Sequence, residues 1–281
     1  MLKTTTANLA GILPEQIEQL VVLPVNKASV AIQAATLVPT DAKVTHIPRV
    51  TADPSASWVA EGDEIGATDP TIDDIEVSPA KLAGLTVITN ELAADASPEA
   101  QAIVGDGLTR DLARKLDVAF FGSKGASLVQ PAGLEDLAGI TTITTAATSW
   151  TNVDEFAAAM SNAGGYGLEI NSWVANPADA LALAKLKEAT GSNKPLLSPD
   201  PTSPTRRQIQ GIPLFVSPAV TVGTIWGIPR IRAFVVRRND VDLQVDKSAY
   251  FTSDRTAIRA TMRVGFAFTH PQAIQKLKLK V

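Results

Sequence analysis

Apolar side chains recur every four residues from Val104 through Leu108, Leu112 and Leu116 to Phe120, with Ile103 and Ala119 beside them. That period predicts one long amphipathic helix in SPEAQAIVGDGLTRDLARKLDVAFFG. Ser97 suits the N-cap, Pro98 the first helical position, Glu99 the positive end of the dipole and Gly122 the stop. About 24 residues at roughly 1.5 Å each make a rod of about 36 Å. Gly105 and Gly107 weaken it by about 1 kcal/mol each. A different period governs TAIRATMRVGFAFTH. There Ile258, Ala260, Met262, Val264, Phe266 and Phe268 alternate with Arg259, Thr261, Arg263 and Thr269. From Ala257 to Thr269 such a strand spans about 43 Å, at least twice the usual length. AFVVRR leads into a second alternating run, VDLQVD. A very long strand beside a very long helix describes an elongated body.

The flanking patterns are weaker. Residues 1–40 carry few charges and no sustained period beyond a helical turn from Pro14 to Val21, which predicts an extended arm lying on something else. AKVTHIPRVT, residues 42–51, reads as a strand that Pro48 confines to an edge, and KLAGLTVIT, residues 81–89, reads as another. Joined across the polar stretch between them, the two predict a long hairpin. GSKGASLVQPAGLEDLAGI, residues 122–140, is rich in turn formers and marks a domain boundary. Beyond it the elements alternate. NVDEFAAAMSNA and NPADALALAKLKEAT are helical, the second capped by Asn176 and stopped at Gly191. SWVAN, IPLFVS and TIWGI are short buried strands, and the four prolines of SNKPLLSPDPTSPTRRQ make residues 192–208 an exposed loop. The fold class is α+β.

Composition narrows this picture. With 281 residues and 45% hydrophobic side chains the chain can bury a sizeable core. It has no run of about 18 apolar residues for a membrane span and no signal-peptide pattern. No Cys is present, which excludes disulfides and thiolate chemistry and is compatible with a reducing compartment. The net charge of −4 conceals a split: residues 1–140 hold 9 basic and 19 acidic side chains, net −10, and residues 141–281 hold 16 and 10, net +6. Such a split is either ordinary patchiness or a sign that the acidic end of one molecule meets the basic end of another.

The acidity is concentrated in SWVAEGDEIGATDPTIDDIEVSP, which has Glu61, Asp63, Glu64, Asp69, Asp73, Asp74 and Glu76, no Lys or Arg, and Trp58 near its start. The spacing does not fit a calcium loop. A paired-carboxylate hydrolase would need a rigid cleft, whereas this stretch projects. His46 and His270, the two histidines, stand alone in strand-like contexts, and no phosphate, zinc or nucleophile-elbow motif occurs. Gly105–Asp106–Gly107 lies inside a helix, out of a phosphate's reach. Arg206, Arg207, Arg230, Arg232, Arg237, Arg238, Arg255, Arg259 and Arg263 lack aromatic interleaving, and a pI of about 5.3 is low for a nucleic-acid binder. Weak phosphate contact is compatible with them, but bidentate pairing with a partner's carboxylates fits better. No metal or cofactor is expected.

In order and spacing, VSPAKLAGLTVITNELAADAS, LARKLDVAFFGSKGASLVQPAGL, WVANPADALALAKLKEATG, IQGIPLFVS and AIRATMRVGFAFTHPQAI resemble the major capsid protein of tailed bacteriophages, with its Hong Kong 97-type fold. The stretches run from about residue 77 to 275. The resemblance implies an N-terminal arm (1–44) and an extended loop hairpin (45–81). It also implies a peripheral domain with spine helix and long strands (82–131 and 236–270) and an axial domain (132–235 and 271–281). It implies a virion shell protein, assembled in the bacterial host cytoplasm as hexamers and pentamers around double-stranded DNA that it contacts non-specifically. A portal, a separate scaffolding protein (no large fused scaffolding segment precedes the arm) and a decoration protein are the further partners it implies. The seven acids and Trp58 then become an intersubunit surface, with Trp58 anchored on a neighbour or packed within its own hairpin. Some members of this family cross-link covalently through a Lys in that loop, an Asn in a peripheral turn and a nearby Glu. Here residues 44–80 hold no Lys, Asp254 stands at the turn and Thr261 near the Glu position, so no cross-link is expected. An encapsulin, a shell around cargo enzymes, shares the fold and is the alternative; a hydrolase using the loop carboxylates is a third reading.

Overall fold

The computed structural model describes residues 25, 29–52, 54–62, 64, 66–90, 98–127, 129–189, 191–197 and 207–280. The expected helical turn at Pro14–Val21, the cap at Ser97 and most of the proline-rich loop lie outside these residues. No helix among those described is long and apolar enough to cross a membrane.

The chain enters through a helical turn, α1 (Val30–Ala34), and a short strand, β1 (Thr36–Thr40). A hairpin follows, β2 (Thr45–Ala52) and β3 (Thr71–Val77), then β4 (Ala80–Thr89) and the long helix α2 (Pro98–Phe121). The middle contains β5 (Thr141–Thr144), α3 (Asp154–Gly165), β6 (Ser172–Ala175), α4 (Pro177–Ala184), β7 (Gln208–Ile209), β8 (Ile212–Val216) and β9 (Thr224–Ile228). The chain closes with β10 (Ala233–Tyr250), β11 (Arg255–Phe268) and β12 (Gln275–Lys278).

These strands form a four-stranded sheet, β1-β10-β11-β4, a six-stranded sheet, β5-β12-β9-β6-β8-β7, and the separate β2-β3 pair. The alternation read along β11 holds. Ile258, Ala260, Met262, Val264 and Phe268 are buried on one face, and Leu112, Ala113, Leu116 and Phe120 of α2 pack against the last four of them. Phe120 meets Phe266 edge to face at 5.1 Å between ring centres. This core runs on into the six-stranded sheet through Val174, Trp226 and Ile228. A second core on that sheet centres on Trp173 and Phe156, also edge to face at 5.0 Å. All five residues of β9 are buried, so its sequence shows no alternation.

Gly133 seals the C-terminal end of α2. A Cβ there would lie 2.2 Å from the carbonyl oxygens of both Ala119 and Gly122, so only glycine lets the following turn close over the helix end. Asp136 fixes the same turn. It accepts from the Lys124 N–H at 2.7 Å and from the Ser123 hydroxyl, and these bonds hold its carboxyl below the usual range. Asn176 caps α4 as expected, its side chain accepting from the Ala178 N–H at 3.0 Å.

Two expectations need correction. The hairpin does not run from residues 42–51 to 81–89: β2 pairs with TIDDIEV inside the acidic stretch, and β4 instead pairs with β11. Two aspartates in a row have low strand propensity, but cross-strand partners on β2 offset it. The second middle helix ends at Ala184 rather than at Gly191, because Leu186 instead pairs with the returning chain, the Leu196 N–H donating to its carbonyl at 2.8 Å. Of the expected arm, residues 29–40 lie against the rest of the chain. Ala31 and Ala34 are fully buried, and β1 is the parallel edge strand beside β10.

Candidate intersubunit surface

The hairpin is rooted on the face of the four-stranded sheet opposite α2. Ile47 and Val77 form a small core there with Val236 and Ala267. Gly265 makes the approach possible, since a Cβ at that position would lie 2.5 Å from Val77 Cγ1. From this root the strand pair projects outward. Arg49 donates to Asp73 at 2.6 Å across the strands, and His46 pairs with Asp74. The Arg49 bond holds the Asp73 carboxyl below the usual range. These two acids are therefore engaged within the hairpin. Glu61, Glu64, Asp69 and Glu76 are exposed and make no ion pair among the described residues; Asp63 lies outside them. The tip is drawn together by the Ser55 N–H, which donates to the Thr68 hydroxyl at 3.0 Å.

Trp58 is 106% exposed, so it does not pack within its own hairpin. Val50 and Ile72, directly opposite each other, are also largely in solvent. The projection thus carries bare apolar side chains among unpaired acids.

The arginines separate once the register is known. Lys81, Arg263 and Arg238 stand side by side across β4, β11 and β10, on the face that carries the hairpin. Arg259 and Arg255 continue on that face along β11, opposite Gln244 and Tyr250. Three cations in one row are unfavourable unless an anion joins them. The Arg238 side chain donates to the Asp41 carbonyl at 3.1 Å, and among the described residues neither Arg238 nor Arg263 makes an ion pair. Asp242 and Asp246, farther along β10, are already bonded by Gln244 and Ser248.

The other arginines are placed differently. Arg237, 9% exposed, turns to the α2 side with Val264. Arg230 is exposed and donates to the Ala35 carbonyl at 3.3 Å. Arg232 is half-buried, Arg207 lies exposed at the mouth of the proline-rich loop, and Arg206 is outside the described residues. The basic row was missed in the sequence because its members come from three strands up to 182 positions apart, Lys81 to Arg263. Only the four-residue spacing of Arg255, Arg259 and Arg263 hinted at it.

Asp254 occupies the β10–β11 turn in the left-handed region, φ 49°, with the Asn90 side-chain amide donating to it at 2.6 Å. Thr261 lies on the basic face between Ala83 and Asp242. No group of three or more metal-ligating side chains occurs among the described residues.

A buried carboxylate was not anticipated. Asp117 of α2 accepts from the Ser29 hydroxyl at 2.7 Å, the Val30 and Ala31 N–H groups at 3.1 and 3.0 Å, and the Ser217 hydroxyl at 3.3 Å. Burial pushes its pKa up despite those bonds. It ties the entry turn, the long helix and the end of β8 to one point.

Residues 10–279 match the model of the phage capsid family. No curated protein is matched by sequence. Solved structures similar to the chain include the capsid of an empty GTA particle, with 18% identity, a TM-score of 0.75, and 100% of this chain and 96% of that chain covered. A Microbacterium phage Oxtober96 chain has 17% identity and a TM-score of 0.72, with 90% of this chain and 91% of that one covered. A Mycobacterium phage Bobi chain has 18% identity and a TM-score of 0.71, with 100% and 96% covered. At such identities the likeness shows the fold, and the family match carries the function. With residues 10–279 fitting that family and the whole length fitting that fold, the chain belongs to the phage capsid family, as a structural major capsid protein of the Hong Kong 97-type α+β fold whose place is the virion shell.

Proposed function

We propose that copies of this chain assemble into hexamers and pentamers that close an icosahedral shell around double-stranded DNA, and that the hairpin of residues 45–81 lies over a neighbouring copy. One observation carries the second part. The projecting hairpin holds unpaired acids and a bare tryptophan, and the sheet from which it rises holds an unpaired row of cations. A projection meeting a different surface on the next copy is a heterologous contact, the kind that closes rings. The division into arm (1–44), hairpin (45–81), peripheral (82–131, 236–270) and axial (132–235, 271–281) parts belongs to the same reading. So do a scaffolding protein, a portal and a decoration protein as further partners, non-specific contact with DNA, assembly in the host cytoplasm, and a purely structural role without catalysis.

The test is assembly of the purified protein, read by negative-stain microscopy and size-exclusion chromatography. Replacing Glu61, Asp63 and Glu64 together by Ala is expected to leave the fold intact, by circular dichroism, and to abolish shells or rings. Raising salt from about 0.05 to 1 M should weaken assembly of the parent protein, because the Debye length falls to about 3 Å at 1 M. Full assembly of the triple variant, unaffected by salt, would sink the charge-docking reading.

A further inference from the structure

At the edge where β4 begins, α2, residues 127–131 and the sheet leave a cavity of about 350 Å³. Its floor is apolar, formed by Leu82, Leu116 and Phe266. Its mouth carries Val129, 70% exposed, and two lysines, Lys81 and Lys115. Neither lysine makes an ion pair among the described residues. A pocket with a greasy floor and a cationic rim suits a large aromatic side chain flanked by acids. The chain displays one such group: Trp58, in solvent, with Glu61 and Glu64 three and six residues on.

The two cannot meet within one copy. The cavity opens at Ala80, beside the hairpin's root, and Trp58 lies beyond the far end of β3. The paired residues Thr71–Val77 hold the tip about 20 Å from that root. The occupant must come from another molecule.

We infer that Trp58 of one copy seats in this cavity of the next, with Lys81 and Lys115 receiving Glu61 and Glu64. This rests on the reading that the hairpin covers a neighbour, and adds where its tip goes and which side chain anchors it. Aromatic anchors in desolvated pockets carry a disproportionate share of interface energy, and charges at the rim set register.

The absence of cysteine allows a clean test. Particles assembled from Val59→Cys/Val129→Cys protein, treated with a short bismaleimide and run on a denaturing gel, are expected to show a ladder of multimers. Each single-cysteine protein should stay monomeric. Adding Trp58→Ala should cut the linked fraction at least about tenfold, as loss of an anchoring side chain does. Both cysteine positions are at the surface, so folding is not at stake. A matched pair, Val59→Cys/Leu85→Cys, places the second cysteine on the exposed face of β4. If only that pair links, the hairpin covers a neighbour but its tip lies on the open sheet, and the cavity is not its seat. If both pairs link equally, or linking ignores Trp58→Ala, the inference also fails. If neither pair links in assembled particles, the hairpin does not cover a neighbour at all, and the underlying reading falls with it.

Discussion

Removing the carboxylate of Asp117 should cost this protein more than removing any surface charge. Four donors converge on it: the hydroxyls of Ser29 and Ser217 and the N–H groups of Val30 and Ala31. The two N–H groups belong to the first turn of α1, where the helix itself supplies no acceptor. Ser29, Ala31 and Ser217 are at most 1% exposed, so water cannot replace the lost acceptor at three of the four donors. Each buried unsatisfied group costs about 1–3 kcal/mol, and breaking such a buried charged network by removing one partner costs about 3–5 kcal/mol in all. Part of the loss is offset, since the ionised carboxylate is itself unfavourable where it lies. Asp117→Ala is therefore expected to lose about 3–4 kcal/mol. Asp117→Asn keeps an acceptor oxygen but turns an amide N–H toward a donor, and should lose about 1–2 kcal/mol. Urea unfolding of the unassembled subunit reads both, as a shift in midpoint at unchanged slope. Hydrogen exchange at the Ala31 amide should rise in parallel. A loss below about 1 kcal/mol for Asp117→Ala, or an Asn variant no better than the Ala variant, would refute the idea that this carboxylate works as the shared acceptor.

The same group titrates in a direction opposite to most paired acids. Its folded pKa is raised by burial, so its contribution is greatest below the unfolded value near 4 and is lost as pH rises through the raised one; parent stability relative to Asp117→Asn should therefore increase from pH 7 toward pH 4, and a gap that shrinks over that range refutes the assignment. Gly265→Ala should lower stability by about 1–3 kcal/mol and loosen the hairpin root, seen as faster proteolysis within residues 45–77, unless Val77 can turn aside. Gly133→Ala should be worse, because the atoms in its way are the carbonyl oxygens of Ala119 and Gly122, which have no rotamer to change; a stable Ala variant would show that the turn after α2 can shift. Boiled particles should run as a single monomer band, since residues 44–80 offer no Lys and Asp254 stands at the turn; any ladder in the parent protein overturns this.

What the sequence revealed followed from how local the cause was. The long helix and the long strand were plain because their periods persist over many residues and each buries one face against the other. The Asn176 cap was plain because a single side chain and the next turn decide it. The strand at Thr71–Val77 was hidden, because its support comes from Arg49 and His46 some 24 and 28 positions earlier, and its own aspartates argue for loop. The early end of α4 was hidden for a similar reason. Nothing in LALAKLKEAT breaks a helix, and the competing pairing of Leu186 with Leu196 depends on the chain's return. Asp117 looked like one more charge on a helix; only the fold brings Ser29 and Ser217 to it from 88 and 100 positions away. Of the surface groups, the acids were visible as a cluster and the bases were not, because the acids share one hairpin and the bases share only a sheet.

On the proposed overlap of copies, that difference gives the charge split between the halves of the chain a purpose. A net of −10 over residues 1–140 would be costly to gather on one compact surface, through self-repulsion. Here Glu61, Glu64, Asp69 and Glu76, which make no ion pair among the described residues, are carried away from the body on the hairpin. Lys81, Arg238 and Arg263, which make no ion pair among the described residues, remain on the sheet at its root, with Arg255 beyond them and Arg259 bonded to Gln244. Separating opposite charges that could have met within one molecule has no stabilising value for a monomer. It acquires one when copies overlap, because each hairpin then covers a cationic surface that its own copy cannot reach. The proposed contact joins two unlike surfaces, so every subunit would both give and receive, and the chain of contacts would end only when a ring closes. On that proposal an isolated subunit keeps both surfaces unsatisfied, and assembly removes the imbalance from each in turn.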